Sequence, residues 1–169
     1  MATQAVYDKR GTSVTFTNTG GDKEMVARAL GTTTGILSAF ADRGADAAPG
    51  WYEVRAYTAW QANPATTDIM RVAVFQSDGT HSDAGVAYNA SADAALTVAQ
   101  IGAATKVCQP IAAHTADTGE KGSTSLIWIT SRYYAVGVYN ASATKATADS
   151  DGTTAVVVTP VYPDIQAAA

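Results

Sequence analysis

Residues 124–140 read TSLIWITSRYYAVGVYN, two runs of β-branched and aromatic residues that only Ser131 separates. Such residues fit a pleated, half-buried surface and are enriched in strands. The same composition recurs at residues 51–60 (WYEVRAYTAW), 68–77 (DIMRVAVFQS) and 153–162 (TTAVVVTPVY), with Ala, Thr, Gly, Ser and Asp between them. No long amphipathic helical pattern interrupts these runs. We therefore predict an all-β chain that forms an antiparallel β-sandwich or jelly-roll-like single domain.

Alternation along residues 51–60 separates two faces of the predicted strand. Glu53 and Arg55 share a face with Trp51, so we expect that face to meet solvent. The opposite face is predicted to enter the core, and it comprises Tyr52, Val54, Ala56, Thr58 and Trp60. Residues 68–77 alternate in the same way, with Met70, Val72, Val74 and Gln76 on one face and Ile69, Arg71, Ala73 and Phe75 on the other.

Other segments are less regular. Residues 36–41 are predicted to form a strand, and residues 106–111 an edge strand that Pro110 stops. Residues 94–104 combine helical spacing with β-branched residues, which leaves a short helix or an irregular crossover open. Pro160 inside the last run indicates an edge position or a bend.

The two ends of the chain are predicted to lie outside the sandwich. Residues 1–22 are interpreted as an N-terminal arm, in which residues 13–17 alternate like a strand before NTGGD breaks the pattern. Such an arm can pair with its own sheet or with a neighbouring subunit. Residues 23–165 are then the sandwich, and residues 166–169 a frayed tail.

The pentapeptide YNASA occurs twice, at residues 88–92 and 139–143. Each copy follows a Val-containing run. We predict that each copy ends a strand, with the Tyr closing a layer of the core and the Asn capping the turn.

The composition limits the possible functions. Charged residues are 15% of the 169 residues, against about 25% in ordinary soluble domains. Low charge suits a surface that contacts another protein. The net charge is −4 and the basic residues are scattered, which argues against nucleic-acid binding. We also expect no membrane span and no secretory signal, because no apolar run is long enough and the N-terminus lacks a basic region before an apolar stretch.

Reactive side chains do not form a recognisable set. Cys108 is the single cysteine, so no intrachain disulfide can form. His81 and His114 both fall in polar loop sequence without a nucleophile pattern nearby. Glu53 is the one well-placed strand carboxylate, and it lacks a partner for acid–base work. We therefore expect no enzyme activity, no cofactor and no metal.

Aromatic residues are the remaining candidates for binding. Trp60 and Trp128 lie in apolar runs and are predicted to be core residues. Trp51 follows Pro49-Gly50 at the start of a strand and is the one tryptophan with a case for the surface, although core or rim packing is the favoured interpretation. A ligand surface, if present, would use Trp51, Tyr133 and Tyr134.

The chain resembles the capsid decoration (cement) proteins of tailed phages. It shares their size, their Ala- and Thr-rich composition and an N-terminal arm, and the segments TSLIWITSRYYAVGVYNASA and SDGTTAVVVTPVYPDI resemble the closing strands of such β domains. The resemblance implies a virion protein, made in the host cytoplasm, that binds the major capsid protein and neighbouring copies of itself on the outside of an icosahedral shell. A homotrimer is the expected form, and no catalytic residues are implied.

Two hypotheses follow. In the first, a structural protein stiffens the shell, and its arm orders on a neighbour by adding a strand. The residues predicted to make that contact are Val6, Tyr7, Lys9, Arg10, Val14 and Phe16. In the second, the sandwich is a carbohydrate-binding or receptor-binding module of a phage fibre or tail.

Overall fold

A computed structural model describes residues 5–104, 106–113, 121–150 and 152–166. Two sheets, one short α-helix and a 3-10 helical turn at Asp83–Gly85 account for its regular structure. In chain order the elements are β1 (Ala5–Arg10), β2 (Val14–Thr17), β3 (Lys23–Glu24), β4 (Gly35–Leu37), β5 (Ala41–Asp42), β6 (Gly50–Thr58), β7 (Ile69–Ser77), β8 (Ala94–Leu96), α1 (Val98–Ala103), β9 (Lys106–Val107), β10 (Ile111–Ala112), β11 (Lys121–Ile129), β12 (Tyr133–Asn140) and β13 (Thr154–Gln166).

The front sheet has the strand order β11-β6-β13-β2-β3, and β1 also pairs with β13. The back sheet has the order β10-β7-β12-β4-β8, and it is extended by β9 beside β7 and by β5 beside β12. Every pairing is antiparallel except that of β2 with β3. The predicted all-β class and the two-sheet, single-domain sandwich are confirmed.

The main core lies between the two sheets. Each long strand contributes alternate apolar residues, as the period-two pattern predicts. The inner faces of β6, β7, β12 and β13 supply, among others, Val54, Ala56, Met70, Val72, Val74, Val136, Val138, Val156 and Val158. The face assignments for residues 51–60 and 68–77 are therefore confirmed, since Ala73 and Phe75 point away from this core.

A second apolar cluster covers the outer face of the back sheet. Phe75 and Ala135 from the sheet pack there with Leu96 of β8, Ile101 of α1 and Phe40. The helix begins at a capping box, in which the Thr97 hydroxyl accepts a hydrogen bond from the Gln100 backbone N–H at 3.2 Å. Residues 94–104 are therefore a short strand followed by a short helix, and they bury a face of the back sheet that would otherwise meet solvent.

The strand predicted at residues 36–41 is divided into β4 and β5. Both pair with β12, but Ser38 lies between them and replaces the regular ladder. Its backbone N–H donates to the Val136 carbonyl at 2.9 Å, and its hydroxyl accepts from the Val136 N–H at 3.0 Å. The side chain thus satisfies the backbone groups that a bulge leaves without ladder partners.

Pro160 lies in β13, which has strands on both sides, so its position is not at the edge of the sheet. The Pro160 carbonyl accepts from the Gly11 N–H at 2.9 Å, on the side of β13 that carries β1 and β2. The missing N–H of Pro160 faces the same side, at the break between those two strands. The proline therefore costs no ladder hydrogen bond.

The first strands pair with their own chain. β2 lies beside residues 156–158 of β13, and β1 lies beside residues 161–166. Because β6 pairs with β13 only as far as Val161, residues 5–9 and 162–166 form a two-stranded terminal ribbon, and no further strand of the described chain pairs with it. The boundaries 1–22, 23–165 and 166–169 stay a prediction, and residues 1–4 and 167–169 lie outside the described residues.

Only the second copy of YNASA ends a strand, β12, because residues 86–92 form no strand, but the predicted roles of the Tyr and the Asn are met in both copies. Tyr88 and Tyr139 both join the second apolar cluster. The Asn140 amide oxygen accepts from the Ser142 N–H at 3.0 Å, and the Asn89 amide oxygen accepts from the Ser91 N–H at 3.0 Å.

Among the described residues, no helix has the length and apolar character needed to cross a bilayer.

Candidate functional site

The outer face of the front sheet, called the front face below, exposes large apolar side chains, whereas the outer face of the back sheet is covered. Trp51 of β6 and Trp128 of β11 are directly opposite each other in the strand register. Their rings meet edge to face, with centroids 5.2 Å apart and planes at 70°. Trp51 is 48% exposed and Trp128 38% exposed. Leu126, which is also exposed, extends the same apolar area.

A charged row crosses the front face next to the tryptophans. The Glu53 Oε1 atom lies 2.6 Å from Arg10 Nη1 and 2.6 Å from Arg55 Nε. Only 12% of the Glu53 side chain is exposed, although the two arginine side chains are open to solvent. The hydrogen bond from Arg10 is the main reason why the Glu53 pKa lies below its usual value of 4.5. Glu53 is therefore an ionised acceptor that is held in one place.

Two adjoining pockets lie on either side of Trp51 and together form the aromatic cleft. One, of about 650 Å³, is lined by Arg10, Trp51, Glu53, Thr124, Ser125, Leu126 and Val161. The other, of about 580 Å³, shares Trp51 and Val161 and adds Trp128, Tyr162 and the loop at residues 47–50. Both volumes are in the range of small-molecule sites, about 300–1,000 Å³.

Arg43 fixes the loop that closes the second pocket. Its Nε donates to the Tyr52 hydroxyl at 2.7 Å, and its Nη1 donates to the Ser131 carbonyl at 2.8 Å. Its Nη2 also donates to the Ala48 carbonyl in the loop. One guanidinium group therefore connects the loop to β6 and to the turn after β11, because its five N–H donors have a fixed, forked arrangement.

The three residues predicted as a ligand surface lie in three different places. Trp51 is on the front face. Tyr133 is on the opposite side of the sandwich, where it packs against Tyr88 with centroids 5.0 Å apart. Tyr134 is buried in the main core, in an edge-to-face contact with Phe16, and burial raises the pKa of its hydroxyl. Only the first two rings can contact a ligand, and no single ligand surface contains both.

The assignment of Trp128 to the core was wrong. In β11 the inward residues are Ile127 and Ile129, so Leu126 and Trp128 point to solvent. The alternation was present in the sequence, but the apolar run at residues 126–129 concealed it. The pairing with residues 51–60 places Leu126 opposite Glu53 and Trp128 opposite Trp51, but this register is visible only in the structure.

The six residues predicted to contact a partner are divided between ribbon, front face and core. Val6 and Tyr7 lie in the ribbon, opposite Ile165 and Asp164, and Lys9 is exposed beside them. Arg10 reaches Glu53 on the front face. Val14 is half-buried against the main core, and Phe16 lies fully within it.

A polar cluster occupies the edge of the back sheet. The Arg132 guanidinium makes two hydrogen bonds to the Asp42 carboxylate, at 2.9 and 2.7 Å, and lies 4.8 Å from the Tyr133 ring centroid. The hydrogen bond from Arg132 lowers the Asp42 pKa to about 2. Nearby, Asp78 accepts from the His81 and Thr80 backbone N–H groups, which lower its pKa to about 2 as well. These contacts stabilise turns. The other histidine, His114, lies outside the described residues.

Comparison with known proteins adds little to this description. No protein-family model matches the chain, and no curated protein matches it significantly. A solved structure of an endo-1,4-β-D-xylanase from Clostridium thermocellum, comprising a carbohydrate-binding module and a catalytic module with bound xylohexaose, aligns with 93% of the chain at 10% identity and a TM-score of 0.28. The chain spans about a quarter (26%) of the length of that structure. A similarity this low carries no argument about fold or function.

Proposed function

We propose that this chain is a structural protein of a tailed-phage virion that binds the outer surface of an icosahedral capsid and stabilises it. In this proposal its partners are the major capsid protein and neighbouring copies of itself, most simply in a homotrimer. The sandwich is the rigid body, and the terminal ribbon makes the connection.

The ribbon is the observation that carries the proposal. Two strands without a third are marginally stable in water, because neither their backbone groups nor their side chains are fully covered. A ribbon of this kind gains stability when a neighbouring protein supplies the next strand. Repetition on a shell strengthens such a contact further, since many weak contacts act together.

Low charge supports the same function. Only 15% of the residues are charged, so large parts of the surface can approach another protein without leaving buried ions.

The test is co-sedimentation of the protein with tailed-phage heads that have been emptied of DNA and stripped of decoration proteins. The first heads to use are those of the phage that encodes the chain. A variant that lacks residues 1–9 and 163–169 loses the ribbon but keeps Arg10, Phe16 and the pairing of β6 with β13. We expect the full chain to sediment with heads and the truncated chain to remain in solution while still folded. Light scattering on both proteins measures whether the ribbon also holds copies together.

Removal of residues 1–22 would be a poorer test, because it also deletes Phe16 from the core. Equal sedimentation of full and truncated chains would contradict the role of the ribbon. Failure of the full chain to bind such heads would contradict the proposed function itself.

A second candidate function is a carbohydrate-binding or receptor-binding module of a phage fibre or tail. The exposure of Trp51 beside a charged row favours it, since aromatic rings with neighbouring hydrogen-bonding groups suit a sugar ligand. This function requires a specific site, which is argued next.

A further inference from the structure

We infer that the aromatic cleft is a binding site for a glycan chain built of pyranose rings, with Trp51 as the stacking platform and Glu53 as its main hydrogen-bonding partner. The inference deepens the second candidate function and rests on it: the site would bind glycan as part of a phage fibre or tail. It does not depend on the shell contact, which is assigned to the ribbon.

The position of Trp51 determines what kind of ligand fits. The indole forms a wall of both pockets, so a ligand on one side can continue to the other. The edge-to-face contact with Trp128 holds the ring upright while nearly half of Trp51 stays exposed. A ring fixed in this way offers an apolar surface to the C–H face of a sugar at little entropic cost.

The charged row supplies the polar half of the contact. Arg10 and Arg55 both contact Oε1 of Glu53. A carboxylate has about four acceptor sites, so these two contacts leave sites for a sugar hydroxyl. Arg55, which lines the adjoining groove together with Glu53, has N–H donors beyond the one that faces Glu53. Hydrogen bonds to ionised groups are shorter and stronger than neutral ones, which favours a ligand rich in hydroxyls.

A glycan fits this face better than a protein does. A stable protein interface covers about 800 Å² on each partner, which would bury the Glu53 cluster beneath it. Burial of three charged side chains is costly unless all their hydrogen bonds are replaced. Sugar hydroxyls both donate and accept, so they replace the water around these groups one for one. The apolar area around Trp51, with the polar row beside it, therefore matches a sugar chain.

The experiment titrates the full chain with a panel of hexasaccharides and follows tryptophan emission and saturation-transfer NMR. The probes are β-1,4-linked glucose, xylose, mannose and N-acetylglucosamine, together with α-1,4-linked glucose. We expect at least one to bind, with its ring C–H protons showing the strongest transfer. In Trp51→Ala we expect the dissociation constant to rise by about tenfold or more.

Two further variants separate a specific site from a general effect. Glu53→Gln should weaken binding while the Trp51 emission still responds to the sugar. Tyr133→Ala, which removes a half-exposed ring on the opposite side of the sandwich, should leave the dissociation constant unchanged. Both variants and Trp51→Ala change groups outside the main core, and circular dichroism on each verifies the fold.

Three outcomes would overturn the inference. One is the absence of any response of the full chain to the panel at millimolar sugar. Another is equal binding by Trp51→Ala and the full chain. The third is a lower native mass of Trp51→Ala without any response to sugar, which would assign the face to a contact between copies. Head binding is measured on the same proteins. We expect Trp51→Ala to sediment with heads, and we expect the variant without the ribbon to bind sugar. Failure of one proposal can therefore be distinguished from failure of the other.

Discussion

Arg10 and Glu53 connect the end of β1 to the middle of β6, with Nη1 and Oε1 2.6 Å apart. The ion pair crosses β13, so it connects three strands of the front sheet through side chains as well as backbone. It is also the point where the ribbon joins the front face. Contacts of this kind in partly exposed positions are worth about 1 kcal/mol or less.

Glu53→Gln should lower the free energy of unfolding at pH 7 by about 1 kcal/mol or less. The folded-state pKa of Glu53 is below its usual 4.5, so the ionised form stabilises the fold. That contribution is complete above about pH 4.5 and is lost as the pH falls through the folded-state pKa. Urea unfolding at pH 7 and at pH 3 measures it. The gap between variant and parent should be narrower at pH 3 than at pH 7, and a constant gap would contradict the linkage. Glu24→Gln, exposed on β3, is the control.

Phe16→Ala should lower the free energy of unfolding by about 3–5 kcal/mol, because it removes a buried ring from the main core. Phe16 has no exposed surface and packs against Tyr134 with centroids 5.8 Å apart. Trp51→Ala removes a larger but exposed ring and should cost less than about 1 kcal/mol. Chemical unfolding of both variants makes the comparison. Similar losses in the two would mean that residues 14–17 are not an integral part of the sandwich.

Gly137→Ala should be destabilising by about 1–3 kcal/mol, because a methyl group there overpacks the second apolar cluster. A Cβ at this position would lie 2.6 Å from Phe75 and 2.8 Å from Leu96. Gly102→Ala, inside α1, meets no atom within 4 Å and should instead stabilise by about 0.5–1 kcal/mol through helix propensity. Thermal unfolding distinguishes the opposite signs. Loss of stability in both would show that the space around α1 is tighter than described.

Asn140→Ala should cost about 2–3 kcal/mol, and the equivalent change in the other YNASA copy, Asn89→Ala, less than about 1 kcal/mol. Both amides cap turns, but only Asn140 is fully buried, and its Nδ2 also donates to the Leu30 and Lys145 carbonyls. Its removal would take this donor from the Lys145 carbonyl and leave the Leu30 carbonyl with the Thr147 N–H. Equal losses at the two sites would indicate that burial does not decide the value of the cap.

Cys108 should not react with aromatic disulfide reagents in the native protein at neutral pH. Its thiol is buried, and burial raises its pKa to about 11, so almost no thiolate is present. In denaturant the same thiol should react at the rate of an ordinary cysteine. The absorbance of the released thiol follows both reactions. Fast modification of the native protein would mean that the segment around β9 opens readily.

The sequence predicted the long strands well because their alternation is undisturbed. Residues 51–60 carry charge on one face, and residues 68–77 are largely apolar on both faces. The burial of both segments in the structure follows these patterns. The short pieces were harder, because their form depends on tertiary contacts. β5, for example, exists because Ser38 bridges to Val136, a partner 98 positions along the chain.

The candidate site was only half visible in the sequence. Trp51 and Glu53 share a strand, so their common face could be read from alternation. Trp128 and Arg10 reach that face only through the register of β11 against β6 and of β1 against β13, and a single sequence contains no signal for register. Tyr133 and Tyr134 show another difficulty. The two side chains have the same chemistry and point to opposite faces of β12, and the sequence does not show which of these faces lies in the main core.

The ribbon also makes a change of chain connectivity possible. Ala5 and Gln166 are paired residues, about 5 Å apart at their Cα atoms. A two-residue hairpin turn is enough to join strands at that separation. The polypeptide could therefore be circularly permuted, with its ends joined at the ribbon and new ends opened at the exposed residues 61–63. In such a protein the order of strand synthesis would change while the sheet stayed the same.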